Sequence, residues 1–369
     1  METIYRADVI GSLIRPVYLN QGRAALRAGS MTAQEFKQLE DRAVNEALAL
    51  QEAAGVDVVT DGEMRRVVFY ALGSGAAQPD PKAAQRTLHW RRQIDGIRQE
   101  QETISWVTPI TSKLVFKGSR AVEEFRYARA RTSKPLKIAI PAPTAFLTRW
   151  SPEHSAAVYP DPVELLADAT TMLREEVRAL AAVGCSYVQI DAPELCALND
   201  EWRSNYALEQ HPKMRDWMRK EGVEALDALA TVPGVAFGLH MCRSNHKGFW
   251  MSEAPWEKLA REIFPRTRNY DLFLLEYDDW RAGSFEPLRE IAPDKVAVLG
   301  LLSTKRAALE PMAEVIARIE QAARYFPLER LALSTQCGFS PAADGSVMSQ
   351  DEELAKLRLV AEIARQVWR

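Results

Sequence analysis

DPVELLADATTMLREEVRALAAVGCSYVQID, residues 161–191, carries a complete helix-to-strand unit. Asp161 stands as an N-cap, Pro162 at the first helical position and Glu164 in the first turn, so the helix has a marked start. Apolar residues then recur at three- and four-residue intervals as far as Ala182, which predicts a helix with one buried face. Tyr187–Asp191 follows after a short loop and reads as a strand. Helix then strand across a short loop implies parallel strands joined by crossovers.

The same rhythm extends in both directions. The spacing predicts strands over Ile4–Ile10, Val56–Thr60, Lys137–Ile140, Tyr187–Asp191, Ala236–Cys242, Leu272–Glu276, Val296–Gly300 and Leu331–Ser334. Helical patterns run over Thr32–Ala54, Pro162–Ala182, Met214–Thr231, Trp256–Phe264, Met312–Tyr325 and Asp351–Trp368. Eight strands in this alternation point to an α/β fold closed as a single (β/α)₈ TIM barrel, which typically takes about 250 residues. The chain has 369, and the surplus falls in Met64–Pro135, an insertion between the second and third strands. That insertion reads as a hairpin, Ser105–Val107 with Lys113–Phe116, and a helix, Arg120–Arg131. It also carries Trp90, Trp106, Phe116 and Phe125, which either form its own core or line an apolar pocket. Residues 1–369 are expected to form one domain. An open doubly wound sheet is the alternative fold, weakened because no G-x-G-x-x-G follows the first strand.

Composition narrows the function. A formal net charge of −3 gives no basic excess to attract nucleic acid or an acidic lipid surface. No apolar run approaches the roughly 18 residues of a membrane span. The start Met1-Glu2-Thr3-Ile4-Tyr5-Arg6 lacks the pattern of a signal peptide, so a reducing cytoplasm is the expected location. Four cysteines are too few to staple a chain of this size, which leaves core packing, metal binding or reactivity as their uses.

Functional side chains of such barrels gather at the C-terminal ends of the strands. That filter selects Asp61 and Glu63 after the second strand, Asp191 and Glu194 at the fourth, His240 and Cys242 at the fifth, Glu276 at the sixth and Cys337 beyond the eighth. In His240-Met241-Cys242, alternation along a strand sends the imidazole and the thiol to one face and Met241 to the other. A single cysteine at a strand end is more often a small core residue. A histidine, two cysteines and a carboxylate drawn from separate strand ends, however, make a chemically sensible Zn2+ set. Cys185 starts a strand and reads as core, and Cys196 is a spare thiol. His246 lies in a polar loop after Cys242.

The chain resembles the C-terminal catalytic barrel of the cobalamin-independent methionine synthase family, particularly its short single-barrel bacterial members. The resemblance rests on Ile10-Gly11-Ser12-Leu13-Ile14-Arg15-Pro16, Gly55–Glu63, Gln189–Glu194, His240-Met241-Cys242-Arg243, Leu275-Glu276-Tyr277-Asp278 and Gln336-Cys337-Gly338-Phe339, in the family's order. It implies zinc held by His240, Cys242, Glu276 and Cys337, with Glu276 yielding its position to an incoming sulfur. It implies a small-molecule thiol, homocysteine, oriented by Ser12, Arg15, Glu63 and Asp191, and methyl transfer to its zinc-bound thiolate. His246, Lys305 and Glu194 are the candidate proton donors. Full-length members carry an N-terminal companion barrel and a histidine after the seventh strand; here the seventh strand is followed by Ser303-Thr304-Lys305-Arg306. The alkyl donor is therefore left open among a folate, a smaller molecule and a methyl-carrying protein, and a homo-oligomer is compatible with the sequence. The same fold also hosts epoxide opening by coenzyme M, and a non-catalytic zinc or thiol binder is the third reading.

Overall fold

The computed structural model describes residues 3–70, 84–94, 96–200, 211–343 and 345–368. Two strands, β1 (Ala84–Ile94) and β2 (Ile97–Val107), form an antiparallel hairpin. Six more, β3 (Ile138–Pro141), β4 (Tyr187–Asp191), β5 (Ala236–Met241), β6 (Leu272–Glu276), β7 (Val296–Leu302) and β8 (Leu331–Thr335), pair in parallel in chain order. Their residues are buried almost throughout, as expected of parallel strands covered on both faces, which read as unbroken apolar runs.

The ring closes through the two expected N-terminal strands, which survive only as extended segments with single bridges. Ala7 bridges Leu333 in parallel, with Asp8 N–H donating to the Leu333 carbonyl at 2.9 Å. Asp57 N–H donates to the Ala7 carbonyl at 3.0 Å, and Val59 bridges Leu136. A full ladder between the first two segments does not form because the Asp57 carboxylate takes its place. Its Oδ2 accepts the N–H groups of Arg6 at 2.8 Å and Ala7 at 2.9 Å.

Alternation sorts the side chains. Ile10, Val58, Tyr187, Leu272, Leu274, Val296, Val298 and Ala332 fill the barrel interior, while Phe273, Leu275, Ala297 and Leu299 face the helices in a separate, larger core. The same alternation carried to the strand ends puts Asp191, His240, Cys242 and Glu276 on the inner side. Beneath them lies a buried polar set. Lys137 Nζ pairs with Asp8 Oδ1 at 2.7 Å, and the Tyr187 hydroxyl donates to Asp8 Oδ2 at 2.9 Å.

The expected Asp161 cap is in place, its side chain accepting from Val163 N–H at 2.9 Å, and Thr32 with Glu35 forms a capping box at the start of Ala33–Ala54. The expected helix Met214–Thr231 is divided into Met214–Trp217, a wider turn Met218–Gly222 and Val223–Leu229. A Cβ on Gly222 would lie 2.8 Å from Thr144 Cγ2, so this turn passes close against the chain beyond β3. An additional helix, Val17–Arg27, follows the first segment. No helix among the described residues is long and apolar enough to cross a membrane.

The expected hairpin is corrected. Ser105–Val107 is the end of β2, whose partner is β1, and Lys113–Phe116 forms no strand. Ile94 pairs with Ile97, and Gly96, just before Ile97, takes the left-handed φ of 78° that a tight hairpin connection requires. The hairpin docks on the loop after β5: Arg91 and Trp250 exchange backbone bonds of 2.9 and 2.7 Å. Of the insertion's aromatics, Phe125 joins the core, Trp90 packs against His246, and Phe116 lines a cavity of about 240 Å³ with Tyr70 and Phe146. The side chain of Trp106 lies outside what is described.

Breaking the interior pair should be costly. Asp8→Ala strands a buried ammonium, and a loss of about 3–5 kcal/mol in urea unfolding is expected. The double change Asp8→Leu with Lys137→Met should recover most of it; equal losses for the single and double variants would show that the ion pair is not the cause.

Candidate functional site

His240 and Cys242 leave the end of β5 on one face and are both buried, with Met241 packed in the outer core between them. Cys337 comes from the turn just past β8, and its Sγ lies 3.6 Å from that of Cys242. Each of the three offers a ligand atom, and these atoms all lie within 4.8 Å of one another. The His240 ring is already oriented. Nδ1 sits 3.1 Å from the Leu274 carbonyl, which calls for an N–H there. Nε2 is buried and has no hydrogen bond of normal geometry among the described residues.

The electrostatics of the trio follow from its contacts. The Cys337 thiol donates to Cys242, which drives the Cys242 thiol well below its ordinary value against the effect of burial, with His240 helping. The same bond and burial push Cys337 upward. Burial lowers His240, but the Cys242 thiolate and Asp191 outweigh it and the imidazole is raised.

The fourth expected ligand stands apart. Glu276 lies outside the trio's 4.8 Å group, and its carboxylate is turned to cations and a peptide N–H. Arg281 and Lys305 hold one oxygen, and Lys305 also faces Asp278 Oδ2 at 3.5 Å.

Two further carboxylates face the interior. β4 and β5 pair so that Asp191 lies opposite His240, and Gln189 Nε2 donates to Asp191 Oδ1 at 2.7 Å. Glu63 sits in the left-handed region, φ 56°, in the turn after the second segment, with its N–H bonded to Asp61 Oδ1 at 2.9 Å. Its Oε2 has no hydrogen-bond partner, and the nearest cations, Arg15 and Arg66, are 4.0 Å away. Burial pushes Glu63 up to about 7 and Asp191 up to about 6. Ser12 lies against the Cys337-Gly338 turn, where its carbonyl accepts Phe339 N–H at 2.8 Å. A Cβ on Gly338 would fall on the Ser12 hydroxyl, so only glycine fits there.

The other expected residues divide. Arg15 donates through its guanidinium to the carbonyls of Leu13, Ser340, Glu63 and Arg66, which ties these loops together, and it stands 4.0 Å from the Glu63 carboxylate. Glu194 is buried, accepts the Thr144 hydroxyl and is pushed up to about 7 by burial. His246 lies in the loop after β5, its ring 5.0 Å from that of Trp90. Sequence reasoning missed Gln189, Arg66 and Arg281. Arg66 pairs with Glu124 at 2.7 Å, and the Arg281 guanidinium packs over the Trp250 ring at 4.1 Å. The only sequence sign of Arg281 was its place after Asp278-Asp279, that of Gln189 was its place at the head of the Gln189–Glu194 motif, and Arg66 gave none.

Residues 6–366 match the family described as cobalamin-independent synthase, catalytic domain. The uncharacterized Bacillus subtilis protein YxjG is 31% identical, over 99% of this chain and 95% of its own length. A methionine synthase from Saccharolobus solfataricus is 26% identical, over 89% of this chain and 86% of its own. Among solved structures, a candidate vitamin-B12-independent methionine synthase from Listeria monocytogenes matches with a TM-score of 0.70 at 24% identity, covering 100% of this chain and 99% of that one. A B12-independent methionine synthase from Shewanella sp. W3-18-1, in complex with selenomethionine, matches with a TM-score of 0.68 at 19% identity, covering 99% and 98%. These two likenesses carry the barrel fold.

Glu63 generates a pH prediction. Its folded value of about 7 lies above the ordinary 4.5, so the folded state binds the proton more tightly, and stability falls as pH rises between these values. Glu63→Gln carries no such charge. In metal-free protein without ligand it should match the wild type near pH 4.5 and exceed it by about 2–3 kcal/mol near pH 8. A difference that stays constant with pH in urea unfolding would remove Glu63 from this role.

Proposed function

The chain belongs to the cobalamin-independent synthase family, and from that premise we propose that it is a zinc-dependent S-methyltransferase acting on homocysteine or a close amino-acid thiol. The observation that carries the reading is the buried trio of His240, Cys242 and Cys337, whose ligand atoms lie within 4.8 Å of one another and whose His240 Nε2 has no hydrogen bond of normal geometry among the described residues. Nitrogen and two sulfurs on three strand-derived positions suit zinc, and a buried ring nitrogen without a normal hydrogen bond is otherwise costly. His240, Cys242 and Cys337 would hold the ion. Bound there, zinc would keep the substrate sulfur in its thiolate form.

That service has a limited size. A thiol with a pKa near 8.5 is only about 3% ionised at neutral pH, so full ionisation gains at most roughly 30-fold, or about 2 kcal/mol. Lower basicity also reduces nucleophilicity. The chain's own residues must therefore supply alignment and proton transfer. Asp191 and Glu63 are buried carboxylates, and Arg15 and Arg66 approach Glu63 only to 4.0 Å, so a substrate ammonium between them would add closer charge-assisted bonds. This favours an amino-acid thiol over one without an amine, such as coenzyme M, which would lack those bonds. The Ser12 hydroxyl, beside the Cys337 turn, would receive the substrate carboxylate. Of the three candidate donors, Glu194 suits protonation of the departing group, because burial lets it keep a proton near neutrality. Lys305 is occupied by Glu276, and His246 lies beside Trp90 in the loop.

Elemental analysis should find about one zinc per chain, lost in the Cys242→Ser/Cys337→Ser double variant while the barrel's circular dichroism persists. Full zinc in that variant would sink the metal assignment. Substrate orientation has its own test. Asp191→Asn should weaken homocysteine binding by about 1.5–3 kcal/mol and leave 2-mercaptoethanol almost unaffected. Equal losses for both thiols would make Asp191 structural.

A further inference from the structure

Tyr187, Gln189 and Asp191 alternate inward along β4, so Gln189 occupies the layer between the barrel floor and the mouth. Below it stand Tyr187 and Lys137, both bonded to Asp8. Above it stands Asp191. The Gln189 side chain is fully buried, and its Nε2 donates at 2.7 Å to Asp191 Oδ1 and at 2.7 Å to the Ile10 carbonyl. Ile10 lies two residues before Ser12, so one amide ties the carboxylate on β4 to the chain that carries the Ser12 hydroxyl.

The tether is directional. An amide NH2 only donates, so Asp191 Oδ1 is held as an acceptor. No hydrogen bond to Asp191 Oδ2 occurs among the described residues, and Asp191 keeps 6% of its surface open. A second pull acts on the same carboxylate: its charge stabilises the buried Lys137 ammonium one layer below. With an apolar side chain at position 189, Asp191 would be free to turn down toward that ammonium. The amide is also an expensive way to fill the layer. Gln189 Oε1 is buried and makes no hydrogen bond among the described residues, so methionine or leucine would pack there with less desolvation. What the amide adds is the orientation of Asp191.

We infer that Gln189 is a positioning residue for amino-acid recognition: its Nε2 pins Asp191 Oδ1 and the Ile10 carbonyl, so that Asp191 Oδ2 meets the substrate ammonium while Ser12 meets the carboxylate. This rests on the amino-acid-thiol reading above.

Calorimetric titration of the zinc-loaded protein with L-homocysteine and with 2-mercaptoethanol reads the effect without any alkyl donor. Gln189→Met should weaken homocysteine about 10-fold, the size expected for a lost hydrogen bond to a charged group. The affinity for 2-mercaptoethanol, which has neither ammonium nor carboxylate, should stay within about 2-fold. In an Asp191→Asn background the same substitution should add less than about 2-fold, because it acts through that carboxylate. Full additivity of the two changes overturns the inference, as do equal losses for both thiols or an unaltered homocysteine affinity in Gln189→Met. Should Gln189→Met fail to fold, a crystal structure of the zinc-loaded wild type with L-methionine decides alone. The ammonium is expected on the Asp191 oxygen that Gln189 does not hold; an ammonium elsewhere, or an amide turned away from Asp191, refutes the proposal. Wild type that binds homocysteine no more tightly than 2-mercaptoethanol refutes the amino-acid-thiol reading itself, and this inference falls with it.

Discussion

Asp8 ties the barrel together with two kinds of bond. Its backbone N–H joins the Leu333 carbonyl and so helps close the ring, while its carboxylate draws in Lys137 from the start of β3 and Tyr187 from β4. The closure fixes a register, and the register places the site. With Ala7 beside Leu333, the turn after β8 meets the loop after the first segment, and Phe339 bonds to Ser12. Leu13 N–H then reaches the Gly62 carbonyl at 3.0 Å, which brings the Glu63 turn to the same rim. Cys337, Ser12 and Glu63 are distant in sequence and are gathered by this one seam.

Above the apolar floor the barrel is crowded with ionisable groups, and their pairing differs by sector. Near β6 and β7, acids and bases are matched: burial would raise Asp278, yet Lys305, Arg281 and the Ser303 hydroxyl bring it down to about 2. Near the first segments and β4 the pairing is looser: Arg15 and Arg66 approach Glu63 only to 4.0 Å, while Arg15 donates to carbonyls and Arg66 holds Glu124 at 2.7 Å. The mouth is thus divided into a tightly paired half and a loosely paired half. A ligand carrying a positive charge gains most in the second.

Much of this was legible in the sequence. His240-Met241-Cys242 gave the correct facing because strand alternation is a local rule, and the Asp161 cap marked a helix start for the same reason. The parts that were not legible depend on long-range competition. The first two strands shrink to single bridges because the Asp57 side chain captures the amides of Arg6 and Ala7. The hairpin escaped notice because β1 and β2 are rich in charged and polar residues, with Arg98, Glu100 and Glu102 exposed, and Lys113–Phe116 offered a more apolar decoy. Arg15 and Glu276 were correctly placed at the strand ends, but the direction of their polar atoms is decided by neighbours hundreds or tens of residues away.

The loosely paired carboxylates have a consequence for how a ligand is felt in solution. Near neutrality the buried Glu63 holds a share of a proton that an ordinary glutamate would have released. An ammonium group settling beside it would expel that proton, so association would be accompanied by proton release. The heat of binding would then include the ionisation heat of the buffer, and the apparent affinity would climb as the solution becomes more alkaline, until the ligand's own amine begins to lose its charge.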